Sequence, residues 1–219
     1  MNPNTDLITS LIKPASVIFW DFDGVIKDSV DIKTSAYEMV FSSFGDAFTR
    51  RVKDHHEKNS GVSRHEKIPL YLGWAGESAT VERVDTFCAQ FSEIVMEAVI
   101  NSPWVPGVYD YIIKHFSRQY FVIVTATPQE EIERIIAHLN ITHCFQAVYG
   151  APIKKADAIR AILSKLDCAP DRALMIGDSE ADLRSAEANA VPFILRRHRH
   201  NLTMQGDESL MSLEHLNFK

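Results

Sequence analysis

The stretch that decides the fold is Val17-Ile18-Phe19-Trp20-Asp21-Phe22-Asp23-Gly24-Val25-Ile26. Its first four residues are apolar and rich in β-branched and aromatic side chains, which is typical of a short buried strand. Asp21 and Asp23 follow at once, at the strand end where open α/β sheets bind their ligands. Two neighbouring carboxylates repel each other unless a cation lies between them or one carries a proton. A solvated acidic turn also fits this stretch by itself, so the remaining sequence decides between the two interpretations.

Composition narrows the class of protein. The chain has 219 residues, of which 46% are hydrophobic and 24% charged, and this balance favours a folded domain over disorder. Its net charge of −6 argues against nucleic acid as a partner, because binding to the phosphate backbone requires positive charge. No apolar run has the length of a membrane span, and residues 1–14 lack the pattern of a signal peptide. Cys88, Cys144 and Cys168 form no CxxC pair, so neither a disulfide framework nor a zinc site is expected, and the cytoplasm is the expected compartment.

Two patterns divide the chain. Residues 30–102 show helical spacing of apolar side chains and no strand pattern. After residue 103 strands and helices alternate, which predicts an α/β fold with a Rossmann-like parallel sheet covered on both faces by helices. Because residues 30–102 are too long for one crossover, we expect an all-helical cap subdomain inserted after the first strand. Residues 1–29 and 103–219 would then form the catalytic core. The strands are expected near residues 17–22, 120–124, 145–149, 173–176 and 192–195.

Polar side chains follow three of these strands, and two lysines open a helix. Thr125 ends the second strand, Asp178 ends the fourth, and Lys154 and Lys155 precede a helix. Each has an ordinary structural explanation when taken alone, such as strand propensity, helix capping or a solvated helix start. Because the carboxyl ends of parallel strands share one edge of the sheet, their joint occurrence indicates one shared site.

This combination resembles the haloacid dehalogenase superfamily of phosphotransfer hydrolases, in its phosphoglycolate phosphatase-like and β-phosphoglucomutase-like subgroup with a helical cap. The four matching motifs are Asp21-Phe22-Asp23-Gly24-Val25, Val124-Thr125-Ala126, Gly150-Ala151-Pro152-Ile153-Lys154-Lys155 and Gly177-Asp178-Ser179-Glu180-Ala181-Asp182. The resemblance implies a sheet with the first strand in the centre, the second and third on one side, and the fourth and fifth on the other. Asp21 and Asp178 would then face each other where the strand order reverses.

The resemblance also implies the roles of the acidic residues. Asp21 would attack phosphorus and form an aspartyl-phosphate, and Asp23 would act as general acid and then as general base. Mg²⁺ would be held by the carboxylates of Asp21 and Asp178 and by the backbone carbonyl of Asp23. Asp182, one helical turn beyond Asp178, could hold a metal-bound water or orient a ligand.

Phosphate oxygens would be bound by uncharged donors and by one lysine. The Thr125 hydroxyl and the Ala126 amide offer hydrogen bonds, and the lysine offers a point charge. Lys155 fits the spacing to the following helix better than Lys154, although the doublet leaves both open.

The helical insert offers one candidate for substrate binding. Gly61-Val62-Ser63-Arg64 resembles the cap segment of the same subgroup, where an arginine meets the distal phosphate in the mutases, and Arg64 occupies that position. A surface arginine is the alternative. Ser63 is expected to cap a helix, with Glu66 completing a capping box. His55, His56 and residues 196–200 are interpreted as surface, because no carboxylate or cysteine lies at ligand spacing.

Three functions are compatible with these residues. The first is a Mg²⁺-dependent phosphatase that hydrolyses a small organic phosphate monoester. A sugar phosphomutase would use the same aspartates, and a non-catalytic phosphate- or metal-binding module is the third. In each case the partner is a small phosphorylated metabolite, and the sequence predicts neither its identity nor the oligomeric state.

Overall fold

The computed structural model describes residues 12–214, so most of the lead-in expected over residues 1–14 lies outside the described part. The described residues form a six-stranded parallel sheet in the order β3-β2-β1-β4-β5-β6. Its strands are β1 (Val17–Trp20), β2 (Tyr120–Pro128), β3 (Ala147–Ala151), β4 (Ala173–Gly177), β5 (Phe193–Arg196) and β6 (Ser212–Leu213). The predicted fold class and the central position of the first strand are therefore confirmed. β6 was not predicted, because two residues are too few to show a period.

Helices cover both faces of the sheet and fill the stretch between β1 and β2. In chain order they are α1 (Val30–Val40), α2 (Asp46–Lys58), α3 (Arg64–Trp74), α4 (Val81–Asn101), α5 (Val108–His115), α6 (Gln129–His138), α7 (Lys155–Leu166), α8 (Glu180–Glu187) and α9 (Leu202–Gln205). Short 3₁₀ turns lie at Ser42–Phe44, Thr142–Cys144 and Pro170–Arg172. None of the helices in this described part has both the length and the apolar character that crossing a membrane requires.

β1 is buried on both faces, as its continuous apolar run predicts. Ile18 and Trp20 pack into one cluster, which also contains the helices of the insert, while Val17 and Phe19 pack into a second cluster on the opposite face. The amide of Asp21 extends the ladder by donating to the Ile176 carbonyl at 3.0 Å. The buried ladder thus fixes the backbone from which the first aspartate projects.

The insert, α1 to α4, packs around aromatic side chains. Tyr37 contacts Phe91 with ring centroids 4.4 Å apart, and Phe41 meets Tyr71 edge-to-face at 5.5 Å. Such tilted and edge-to-face pairs are the favoured geometries for aromatic rings. The same cluster is continuous with the sheet side of the core, so the insert rests on the core rather than projecting from it.

The interpretation of His56 and of residues 196–200 as surface is wrong in part. His56 is 2% exposed and Arg196 is 4% exposed, whereas the Arg199 side chain is 73% exposed. His56 shares the inner face of α2 with Val52, one turn earlier, and both are buried. The low number of apolar residues in this helix concealed its buried face.

Candidate active site

Three carboxylates converge where the strand order reverses. Asp21 follows β1, Asp178 follows β4, and Asp182 lies in the first turn of α8. All three are buried, and one carboxylate oxygen from each lies within 4.8 Å of the others. This meeting point is the position that the topology of open α/β sheets assigns to ligands.

Lys155 supplies the positive charge beside these acids. Its Nζ lies 3.0 Å from Asp21 Oδ2 and 2.6 Å from Asp182 Oδ1. Burial lowers the pKa of Lys155, but the charges of Asp182 and Asp21 outweigh burial and raise it above its ordinary value. Lys154, the residue before α7, is exposed. The structure therefore places Lys155, and not Lys154, in contact with the acidic cluster.

Asp182 is fully engaged by neighbouring groups. Its Oδ2 accepts from the Ser179 hydroxyl at 2.6 Å and from the Ser179 amide at 3.1 Å, and its Oδ1 accepts from Lys155. Ser179 and Asp182 form a capping box at the start of α8. At Ser63 the hydroxyl accepts from the His65 amide, so Ser63 caps α3 as predicted. Asp182 accordingly positions Lys155 and the loop that carries Asp178.

Asp178 is held from the C-terminal part of the chain. Its Oδ2 lies 2.8 Å from Nε2 of His198, and its backbone carbonyl accepts from the side-chain Nδ2 of Asn201 at 2.8 Å. Gly24 faces the same carboxylate with a φ of +77°, and a Cβ at this position would lie 2.3 Å from Asp178 Oδ2. Glycine is therefore required after the first aspartate pair, both for its backbone conformation and for space.

Asp23 has a separate set of donors. Ser29 Oγ donates to Oδ1 at 2.6 Å, Thr127 Oγ1 donates to Oδ2 at 3.0 Å, and Lys33 Nζ donates to Oδ2 as well. Burial raises the pKa of Asp23, but the charge of Lys33 and the hydrogen bonds from Lys33, Ser29 and Thr127 outweigh burial and lower it. In this arrangement Asp23 is an ionised carboxylate, the form that accepts a proton.

The register of β2 against β3 shifts between Val124 and Pro128. This irregularity occurs where the second predicted motif lies, and Thr125, Ala126 and Thr127 all reach the site. Thr125 and Ala126 line the same small cavity as Asp21, Asp23 and Asp178, while Thr127 contacts Asp23. A local disruption of the ladder is a common device for directing side chains into a site.

Two connected spaces adjoin the acidic cluster. The small cavity has a volume of about 20 Å³, which is room for little more than one water molecule. A larger cleft of about 560 Å³ shares Thr125, Ala126 and Gly61 with it and extends between α3, α7 and α8. Gly61 belongs to the insert, and a Cβ there would lie 2.1 Å from Ser179 Oγ. The insert therefore approaches the core closely over the reacting groups.

Arg64 joins the insert to the core rather than lining the small cavity. Its guanidinium forms two hydrogen bonds with the Glu131 carboxylate, at 2.9 and 2.7 Å, and a third with Ser92 Oγ at 2.6 Å. Both charged side chains are buried, at 3% and 6% exposure. In this arrangement Glu131 neutralises the charge of Arg64. The contact between Arg64 and a substrate stays a prediction.

Sequence reasoning missed several polar residues of the site, above all Lys33, His56, Thr127 and His198. Lys33 lies on one face of α1 with Val30 and Tyr37, which are three and four residues away and buried. A lysine within an apolar stripe is a sequence signal that could have been used for Lys33, whereas the helix of His56 has too few apolar residues to give such a signal. His198 is different, because no local pattern connects it to Asp178, 20 residues earlier.

The donor set of the cluster fits a hard divalent cation. Burial and the negative charge of Asp182 raise the pKa of Asp21 well above its ordinary value, despite Lys155. Burial also raises the pKa of Asp178, despite the hydrogen bond and charge of His198. Such crowding is relieved when a cation binds, and carboxylate oxygens are the ligands that Mg²⁺ prefers.

Comparison with known proteins places the chain in a family. The model of the haloacid dehalogenase-like hydrolases matches residues 17–195. The chain therefore belongs to the haloacid dehalogenase-like hydrolase family, as the four motifs predicted.

Individual relatives are distant. The phosphorylated carbohydrates phosphatase of Thermotoga maritima is 22% identical over 80% of this chain and 81% of its own length. The phosphoglycolate phosphatase of Nitrosococcus oceani is 26% identical over 87% of this chain and 88% of its own length. Among solved structures, CbbY of Rhodobacter sphaeroides bound to xylulose-(1,5)bisphosphate has a TM-score of 0.73 at 17% identity, covering 92% of this chain and 95% of its own. The β-phosphoglucomutase of Clostridium difficile has a TM-score of 0.71 at 17% identity, covering 93% and 92%. These two structures show that the fold is shared.

Proposed function

We propose that this protein is a Mg²⁺-dependent phosphatase that hydrolyses a small organic phosphate monoester through an aspartyl-phosphate on Asp21. One observation carries the proposal: Asp21 lies among Lys155, Asp178 and Asp182, with a second carboxylate, Asp23, two residues away and on separate donors. A nucleophile and a proton carrier are thus held at one strand end. The names of the two relatives above support a phosphorylated carbohydrate or phosphoglycolate as the class of substrate.

The metal would be held by the carboxylates of Asp21 and Asp178 and by the backbone carbonyl of Asp23. When bound, Mg²⁺ neutralises oxygen charge so that an anionic phosphate can approach a carboxylate. Asp182 would not bind the metal directly, because both of its carboxylate oxygens already accept hydrogen bonds, from Lys155 and from Ser179. It would orient the residues that do.

The first chemical step forms a bond between an Asp21 oxygen and phosphorus while the bond from phosphorus to the ester oxygen breaks. The Phe22 amide donates to Asp21 Oδ1 at 2.8 Å, which fixes the rotation of the carboxylate. The leaving alkoxide takes a proton from Asp23. Asp23 must be protonated at that moment, so we expect Lys33 to separate from it when substrate binds.

The second step transfers the phosphoryl group from Asp21 to water. Asp23 takes the proton of the attacking water, the bond from Asp21 to phosphorus breaks, and inorganic phosphate leaves. The pairing with Lys33 favours the ionised Asp23 that this step needs. The Thr125 hydroxyl, the Ala126 amide and Lys155 would bind the remaining phosphoryl oxygens in both steps.

We further propose that residues 30–102 form a movable cap over a core made of residues 1–29 and 103–219. Contacts between the two parts include those from Lys33 to Asp23, from Arg64 to Glu131 and from Gly61 to Ser179. A cavity of about 20 Å³ does not hold a phosphate ester, so we expect some of these contacts to open when a substrate reaches Asp21 from the larger cleft of about 560 Å³. Closure over bound substrate would then exclude water from the first step.

The two other functions make different predictions. A phosphomutase would convert a hexose 1-phosphate to the 6-phosphate, and a binding module would turn over neither ester. The pairing of Arg64 with Glu131 weighs against the mutase, since Arg64 would have to leave a buried partner to bind a distal phosphate. The cytoplasm and a small phosphorylated metabolite remain the compartment and partner that we propose.

A phosphate-release assay tests the proposal. Purified protein should release phosphate from a panel of monoesters with Mg²⁺ present and should lose this activity when EDTA removes the metal. Full activity in EDTA would exclude metal dependence, and no release from any ester would exclude the phosphatase.

A further inference from the structure

His56 is a buried histidine of the insert that lines the small cavity beside the acidic cluster. It lies on α2, is 2% exposed, and lines the small cavity together with Asp21 and Asp23. Its Nδ1 lies 2.9 Å from Nζ of Lys67. Its Nε2 is buried and has no hydrogen-bond partner within residues 12–214. A buried polar atom without a partner is destabilising, and its place in a residue that lines a cavity indicates that a ligand supplies the partner.

The contact with Lys67 determines which proton His56 carries. An ammonium has three donors and no acceptor, and Lys67 also donates to the backbone carbonyl of Asn59 at 3.0 Å. Nδ1 therefore accepts when Lys67 is charged, although burial lowers the pKa of Lys67 well below its ordinary value. Burial, with the charges of Lys67 and Lys33, also lowers the pKa of His56 well below its ordinary value, so the ring is neutral and, beside the ammonium, its single proton is on Nε2. The unpartnered group of His56 is then an N–H donor.

We propose that His56, oriented by Lys67, determines substrate choice by donating its Nε2–H to an oxygen atom of the leaving group. This inference rests on the phosphatase function proposed above and specifies its substrate. Because His56 lines the same cavity as Asp21 and Asp23, the accepting oxygen must lie close to the phosphoryl group. The substrate class is a phosphate monoester with a hydroxyl or carboxylate within about two carbons of the ester oxygen.

The charge of the insert favours a carboxylate over a hydroxyl. Lys67 is 2% exposed, and its hydrogen-bond partners in the described part of the chain are neutral: the imidazole of His56 and a carbonyl oxygen. The ring of Tyr37 lies 5.1 Å from its Nζ. Burial lowers the pKa of Lys67 well below its ordinary value, and an anion bound nearby would stabilise its charged form. An anionic substituent at His56 would offset that charge, whereas a hydroxyl would satisfy the hydrogen bond alone.

His55 provides a matched control on the same helix. Its Nδ1 lies 3.0 Å from the Tyr71 hydroxyl, and its ring packs edge-to-face on Trp74. Consecutive residues of a helix point in different directions, so His55 does not line the small cavity. The pair allows one histidine to be removed at a time from the same local sequence.

The test measures kcat/KM with Mg²⁺ for three esters with two-carbon leaving groups: ethyl phosphate, 2-hydroxyethyl phosphate and carboxymethyl phosphate. The parent protein should prefer the two oxygen-bearing esters. His56→Ala should reduce the preference for the hydroxyl about tenfold and that for the carboxylate up to about a hundredfold, as loss of neutral and charged hydrogen bonds implies. Ethyl phosphate should change by less than about twofold.

Further variants separate hydrogen bonding from folding. His56→Gln retains an N–H near the position of Nε2 and should restore part of the preference. Lys67→Met should reduce the preference for the carboxylate more than that for the hydroxyl. His55→Ala should leave both ratios at the parent values. Circular dichroism and urea unfolding establish that each variant is folded before its kinetics are compared.

Equal loss on all three esters in His56→Ala would overturn the inference, because it would place His56 in folding or in the chemical step. Unchanged ratios in this variant would overturn it too, as would a parent that turns over an aryl phosphate but shows no preference among the three esters. A parent that releases phosphate from no ester would overturn the proposed function itself, and the inference would fall with it.

Discussion

The two walls of the small cavity are built in opposite ways. The core wall is acidic and is lined by Asp21, Asp23 and Asp178. Lys155 and Asp182 lie behind it, in contact with the cluster. The insert wall is lined by Lys33 and His56, and Lys67 lies behind His56. Strand ends place the groups of the first wall, and side-chain packing among helices places those of the second. From this difference we expect the core wall to carry the chemistry and the insert wall to select the substrate.

The largest expected effect follows from breaking the core wall at its nucleophile. Asp21→Asn should lower turnover by at least about a thousandfold, because an amide is a poor nucleophile and a poor ligand for Mg²⁺. Phosphate release and circular dichroism measure the loss and the retained fold. Activity near the parent level would place the nucleophile elsewhere.

Asp23→Asn should have the next largest effect, and its size should depend on the leaving group. We expect a loss of about a hundredfold on an alkyl phosphate, in the range typical of general acid catalysis. Because breakdown of the aspartyl-phosphate slows for every ester in this variant, the comparison uses release of the leaving group in the first turnover. Release of nitrophenol from a nitrophenyl phosphate, whose leaving group needs no proton, should lose much less than release of the alcohol. Equal losses of leaving-group release would show that Asp23 is not the general acid.

The Arg64–Glu131 pair tests how firmly the insert wall is attached to the core. Arg64→Ala should lower the free energy of unfolding by about 3 kcal/mol, because the buried carboxylate of Glu131 loses its partner. Adding Glu131→Gln should recover part of that loss, and urea unfolding of the two single variants and the double variant gives the coupling. Additive effects would show that the pair contributes no coupling energy. A loss of substrate preference without loss of stability would instead support the predicted contact between Arg64 and substrate.

The two walls also differ in how far the sequence predicted them. Apolar runs that end near Asp21, Thr125 and Asp178 predicted the strands of the sheet, and the resemblance to the haloacid dehalogenase superfamily implied their order. The insert was predicted as helical, but its buried polar residues were not identified. Periodicity reports which face of a helix is apolar, and His56 lies on a helix with few apolar residues. The contact between His198 and Asp178 depends on tertiary structure alone.

The smallest expected effect concerns the pH dependence of stability at the insert wall. Burial lowers the pKa of His56 well below its ordinary value of 6.5. As the pH falls through about 6.5, the unfolded chain therefore takes up a proton that the folded protein does not, and stability decreases. One such group contributes at most about 1.4 kcal/mol per pH unit. His56→Gln should reduce this slope in urea unfolding between about pH 5 and pH 7, and an unchanged slope would show that His56 is not buried neutral.

The central claim is that Asp21 carries the phosphoryl group between the two steps. It is tested most directly by quenching the reaction in acid within one turnover and mapping protein-bound phosphate by peptide mass spectrometry. The parent and Asp23→Asn, in which breakdown of the intermediate should be slower, are examined together. We predict one phosphoryl group on Asp21, released by hydroxylamine as an acyl phosphate is, and more of it in Asp23→Asn. Phosphate release without any phosphorylated peptide in either protein, or a phosphoryl group on another residue, would contradict the account.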